Sequence, residues 1–102
     1  MNKNKIINLL GLANKAGKLI SGDEAVTKDL KNIFLLFVAS DVSVRTKDKY
    51  EKKCFYYNVT CDFSFSSSEL EKAVGRSRKI IGVKDKGFAL AFEKLRGEED
   101  ES

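Results

Sequence analysis

The longest uninterrupted apolar run in the chain is IFLLFVA, Ile33 to Ala39. At seven residues it falls well short of the roughly 20 that a membrane span needs. Its Phe and Leu content and its lack of any polar interruption are the pattern of a central strand covered on both faces. A chain built around such a strand needs helices on each side of a sheet, so the remaining segments must supply them.

They do so in alternation. Ile6, Leu9, Leu10 and Ala13 fall at helical spacing, with Leu12 and Ala16 widening the stripe, which predicts a helix over 3–16 closed by Gly17. Lys18-Leu19-Ile20 has room for only a short strand. Ser21 followed three residues later by Glu24 has capping-box spacing and predicts a second helix through about Asn32. Ser43 caps a third helix through about Tyr56, whose RTKDKYEKK gives a strongly charged outer face. Val59, Cys61, Phe63 and Phe65 alternate with polar neighbours, so VTCDFSF is a strand with one apolar side. Ser68 and Glu71 repeat the capping-box spacing before a short helix ending at Gly75. KIIGVK, residues 79–84, is another strand, and Phe88, Ala91, Phe92 and Leu95 mark a last helix.

A length of 102 residues suits one domain, expected over residues 1–97, with Glu98 to Ser102 as a frayed acidic tail. The tail masks the charge of the rest. The net charge is +4, but residues 1–97 hold 19 basic against 11 acidic groups, a net +8 that points to a polyanionic partner, nucleic acid before membrane. The basic N-terminus is followed by interrupted polarity and no small-residue cleavage site, so export is not expected. Cys54 and Cys61 are the only cysteines and there is no histidine, which leaves too few ligands for a structural zinc site and no base for Ser-His or Cys-His hydrolysis. Two half-buried thiols in a reducing cytoplasm account for the cysteines.

The stretch GLANKAGKLISGDEAVTK, Gly11 to Lys28, invites comparison with a phosphate-binding loop of hydrolases. Five residues separate Gly11 from Gly17, Leu19 stands where a metal-binding hydroxyl is needed, and Gly11 lies inside a helix, so that reading fails. The corner instead brings a helix end next to a helix start. Lys18, the backbone at Gly22, the amides of the next turn and Lys28 are expected to converge on one surface suited to a nucleic-acid backbone. Asp41, Asp62 and Asp85 are scattered, and turn or cap roles account for each.

LGLANKAGKLISGDEAVTKDL, LLFVASDVSVRTKDKYEKKC and SSSELEKAVGRSRKIIGVKDKGFALAF resemble, in order and spacing, the kink-turn-binding ribosomal protein family of the "L-seven-Ae" type, and most closely its small bacterial YlxQ-type branch. The similarity runs from about Lys3 to Leu95. The resemblance implies an α/β fold, a three-layer α-β-α sandwich with a four-stranded mixed sheet. It also implies a non-enzymatic, cytoplasmic protein without cofactors that binds structured RNA, a kink-turn or related internal loop in ribosomal RNA, in association with the ribosome. Recognition of a distorted loop suits RNA, whose regular grooves are poorly read.

By this resemblance Gly22, Glu24 and Lys28 match the family's glycine, RNA-reading helix start and lysine, and Lys18 matches a lysine upstream. The family's asparagine and glutamate at that helix start are replaced by Glu24 and Ala25. Glu24 can accept from a base amino group but lacks an amide donor, Ala25 reads no base edge, and the adjacent Asp23 is the candidate to compensate. A second family contact corresponds to GRSRK, Gly75 to Lys79, where Arg76, Ser77, Arg78 and Lys79 favour phosphate contact or guanidinium stacking. Asp41, Ser43 and Thr46 also match the family. The alternative is a protein-interaction adaptor of the same fold that has lost specific RNA reading and docks through the acidic tail or the charged third helix.

Overall fold

A computed structural model describes residues 1–98; the expected tail, apart from Glu98, lies outside the described residues. In chain order the elements are α1 (Lys3–Lys15), β1 (Leu19–Ser21), α2 (Asp23–Lys28), a 3-10 turn (Leu30–Asn32), β2 (Leu35–Val38), α3 (Val44–Tyr57), β3 (Thr60–Asp62), α4 (Ser67–Val74), β4 (Ile80–Val83) and α5 (Lys86–Arg96). Among the described residues one four-stranded sheet forms in the order β1-β4-β2-β3. It is mixed, as expected: β2 runs parallel to β3 and antiparallel to β4, and β4 is antiparallel to β1.

The apolar run behaves as a central strand must. All four β2 residues are buried, and the two-residue period divides the run between two cores. Leu35, Phe37 and Ala39 pack with Ile6, Leu10, Phe65, Leu70 and Phe92 beneath α1, α4 and α5. Phe37 meets Phe65 and Phe92 edge-on, with ring centroids 5.7 and 5.3 Å away. Leu36 and Val38 face the other way, against Val26, Leu30, Ile33, Tyr50 and Cys54 beneath α2 and α3.

The helix ends follow local hydrogen-bond needs, and several differ from the sequence expectation. Ser43 caps α3 as expected, accepting from Thr46 N at 3.1 Å. The capping box of α4 is Ser66 with Glu69 rather than Ser68 with Glu71. The earlier start turns Leu70 fully inward, and Asp41 holds Ser67 from across the chain. Ser21 does not cap α2; the cap position is Gly22, which offers no side chain. Nor does α2 reach Asn32, because the chain tightens after Lys28 into the 3-10 turn that buries Leu30. β3 stops at Asp62, so Phe63 and Phe65 pack from a loop. Leu12 and Ala16 are exposed, leaving α1 a narrower apolar stripe than expected.

Candidate nucleic-acid interface

Strand polarity brings the candidate residues together. The C-terminal ends of β1 and β2 lie against the N-terminal end of β4, with Ser21 opposite Ile81 and Val38 opposite Ile80. The Gly75–Lys79 loop entering β4 therefore sits between the start of α2 and the segment after β2. Gly22 N donates to Ile80 O at 3.0 Å, and Ala39 N donates to Lys79 O at 2.8 Å, tying both neighbours to it.

Two glycines make this corner. Gly75 ends α4 at φ 77°, and Gly22 turns the chain from β1 into α2 at φ 99° and ψ 146°, a conformation that L side chains rarely adopt. A Cβ at Gly22 would meet nothing within 4 Å, so its requirement is one of backbone angle and not of space. Beside it Arg78 Nε donates to Ser21 Oγ at 3.0 Å and Arg78 Nη1 donates to Ser77 O at 3.1 Å, holding the guanidinium against the corner. Arg78 thus lines one open groove with Gly22, Glu24, Ala25 and Lys28. Arg76 joins Arg78 and Ser21 in the adjoining cleft towards Asn14, and Lys79 lines the cleft on the other side with Ser43 and Thr46.

Lys18 is not part of this cluster. A three-residue strand separates it from Gly22, four extended steps of about 13 Å in all. It sits by the far end of β4, where its Nζ lies 4.0 Å from Asp85 Oδ1. The amides of α2 contribute less than the sequence suggested, because the helix has only six residues and Asp23 and Glu24 occupy its first turn. Lys28 Nζ lies 3.0 Å from Glu24 Oε1, an exposed i,i+4 pair that costs little to exchange.

Asp23 is bonded to α3. Its carboxylate accepts from the Tyr50 hydroxyl and from Lys49 Nζ at 2.9 and 3.1 Å, so it is engaged with α3 while still lining the open groove beside Glu24 and Arg78. The Tyr50 bond, followed by that of Lys49, holds the Asp23 carboxyl below its ordinary value. Burial and the neighbouring carboxylate push the Tyr50 phenol up. Tyr50 also lies 3.4 Å from Thr27 Oγ1, so one buried side chain steadies both turns of α2. Sequence reasoning missed Tyr50; the available signal was one aromatic inside a charged stretch, four residues before Cys54.

A group whose folded value is depressed stabilises above its unfolded value, and that contribution disappears as pH falls through the folded value. Asp23→Asn is therefore expected to lower the urea midpoint at neutral pH, with the gap to the parent closing under strong acid. A gap that stays constant down to about pH 2 would refute this role, since the ordinary carboxyl value is about 3.9.

The other carboxylates have structural partners. Asp41 accepts from Ser67 N and Oγ, Asp62 from Ser64 N and Arg96 Nε, and Asp85 caps α5 through Phe88 N. Among the described residues no cluster of three or more His, Cys, Asp or Glu side chains could hold a metal ion. Cys54 and Cys61 are both free thiols.

These features define a small α/β sandwich with a cationic loop at one end of its sheet. Comparison with known proteins places it more closely, although no family model matches the chain. It is 43% identical over 96 residues to an Enterococcus faecium protein named RNA-binding protein YlxQ, covering 92% of this chain and 93% of that one. A Bacillus subtilis (strain 168) protein of the same name is 38% identical over 84 residues, 79% of this chain and 84% of that one. The chain belongs to the YlxQ family. Among solved structures, a Bacillus halodurans protein of unknown function superposes with a TM-score of 0.85 at 35% identity, covering 90% of this chain and 96% of that one. The Giardia lamblia 15.5kD RNA binding protein shares the fold, with a TM-score of 0.77 at 15% identity over 92% of this chain and 83% of that one.

Proposed function

We propose that the chain binds structured RNA without catalysing a reaction, at a kink-turn or related internal loop in ribosomal RNA, and that it works in the cytoplasm in association with the ribosome. The observation that carries this reading is a difference among the cations. Lys18 and Lys28 each have a carboxylate within 4.0 Å, whereas among the described residues Arg76, Arg78 and Lys79 have none. These three flank the Gly22 corner, which leaves backbone open to close approach, and they are available to phosphate. The two YlxQ relatives are named RNA-binding proteins, which supports the same partner. In this reading Gly22 admits the RNA backbone, Glu24 accepts from a base amino group, and Lys28, Arg76, Ser77, Arg78 and Lys79 contact phosphates, with Lys18 at the margin.

No helix among the described residues is long and apolar enough to cross a membrane. A second reading, a protein-interaction adaptor, draws support from the engagement of Asp23 with Tyr50 and Lys49 and from exposed Ala25, which has no polar group to read a base edge.

Titration of a kink-turn duplex against a matched duplex without the internal loop, at two salt concentrations, tests the proposal. Tighter binding of the kink-turn by about tenfold or more, near 1.4 kcal/mol, is expected. Equal binding that collapses with salt would reduce the surface to a nonspecific one, and no binding to either RNA would favour the adaptor.

A further inference from the structure

Helix α3 carries a surface that the interface above leaves unused. Tyr50 and Cys54 face the core, while Arg45, Lys49, Lys52 and Tyr56 follow one another at spacings of four, three and four on the opposite side. Lys53 lies beside them, and the acidic residues of the helix, Asp48 and Glu51, fall on the other flank. This basic stripe begins at the candidate interface, because Lys49 holds Asp23 and the Lys53 charge also acts on that carboxylate. From Arg45 to Tyr56 it covers most of α3, about 17 Å.

The stripe ends in aromatic rings. Phe55 is 89% exposed, Tyr56 81% and Tyr57 44%, three large side chains in succession, the first two almost wholly open to solvent. The rings of Tyr56 and Tyr57 meet edge-on with centroids 5.0 Å apart. Asn58, at φ 58° in the left-handed region, ends the helix and leads the chain towards β3, leaving these rings at its open end. Lys52 pairs with Asp48 at 3.0 Å, but both side chains are more than half exposed, so a phosphate can displace the carboxylate.

We propose that this face of α3 is a second RNA-contact surface that takes an unpaired segment running on from the structured RNA: Arg45, Lys52 and Lys53 hold phosphates, and Tyr56, supported by Tyr57, stacks on a base. The inference rests on the RNA reading above. A polyanion whose bases have stackable faces matches both the cations and the rings, whereas an apolar protein surface would leave the cations of the stripe without counter-charges. Continuity with the Asp23 corner provides the path from one surface to the other.

The test compares the kink-turn duplex alone with the same duplex extended by about eight unpaired uridines at its 3′ or 5′ end, within the site size of single-strand-binding surfaces. At one extension site, the tail is expected to tighten binding about fivefold or more, the scale of one stacked base. Tyr56→Ala should abolish that gain while leaving affinity for the unextended duplex unchanged, and Tyr56→Phe should retain it; the exposed position lets both variants fold. Neither tail improving binding, or a gain that survives Tyr56→Ala, overturns the α3 surface and leaves the RNA reading intact. Failure to bind even the unextended kink-turn overturns the RNA reading and this inference with it.

Discussion

Replacing Arg96 by alanine is expected to lower the free energy of unfolding by about 3–5 kcal/mol, the cost of stripping a buried carboxylate of its ionic partner. Asp62 ends β3 with 2% of its surface exposed, and its side chain receives two hydrogen bonds, from Ser64 N at 2.8 Å and from Arg96 Nε at 2.7 Å. The Arg96 side chain is itself 22% exposed, so solvent screens the pair little. Glu93 provides the internal control. It lies 2.9 Å from Arg96 Nη1 with its side chain 47% exposed, and Glu93→Ala should cost under about 1 kcal/mol. Urea unfolding of both variants measures the difference, and an Arg96→Ala loss no larger than that of Glu93→Ala would refute the account. A double variant, Asp62→Asn with Arg96→Ala, should recover part of the loss because the unpaired charge is removed together with its partner.

The second large effect concerns binding. Changing Arg76, Arg78 and Lys79 together to alanine is expected to weaken kink-turn RNA binding on the order of a hundredfold, at about 1 kcal/mol for each exposed ionic contact. The plot of log affinity against log salt should lose about 2 to 3 units of slope, because each phosphate contact releases close to one counterion. Both changes are needed. A weaker complex with an unaltered slope would mean that the loop shapes the site without touching phosphate, and an unchanged affinity would remove the loop from the interface. Arg78 also ties the loop to Ser21, so the thermal midpoint of the triple variant separates lost contact from a loosened corner.

Local order was largely legible before any coordinates. The unbroken run at Ile33–Ala39 required cover on two faces, and it received it, because side chains alternate along a strand and each face must leave water. Helical spacing located α1 and α5, and α3 was legible from its Ser43 cap, whose bond spans only three residues, and its charged stretch. The cap of α4 was not. Ser66 with Glu69 and Ser68 with Glu71 satisfy the same local rule, and the choice fell to the burial of Leu70 and to Asp41, 26 residues from Ser67.

The sequence by itself determined the alternation of elements, the two-sided strand at the centre, the basic excess over residues 1–97 and the family, since each rests on neighbours in the chain or on composition. Tertiary structure decided which charges share a surface. Lys18 stands four positions from Gly22 yet lies at the other end of β1, because an extended strand carries the chain away at about 3.3 Å per residue. Arg78 stands 57 positions from Ser21 yet bonds to it at 3.0 Å, because antiparallel pairing of β1 with β4 brings those ends together. Asp23 was drawn to Tyr50 in the same way, through the packing of α2 on α3 that no local spacing encodes. Strand pairing and helix packing depend on the whole chain burying its apolar surface at once, so the partners they bring together become legible only in the folded structure.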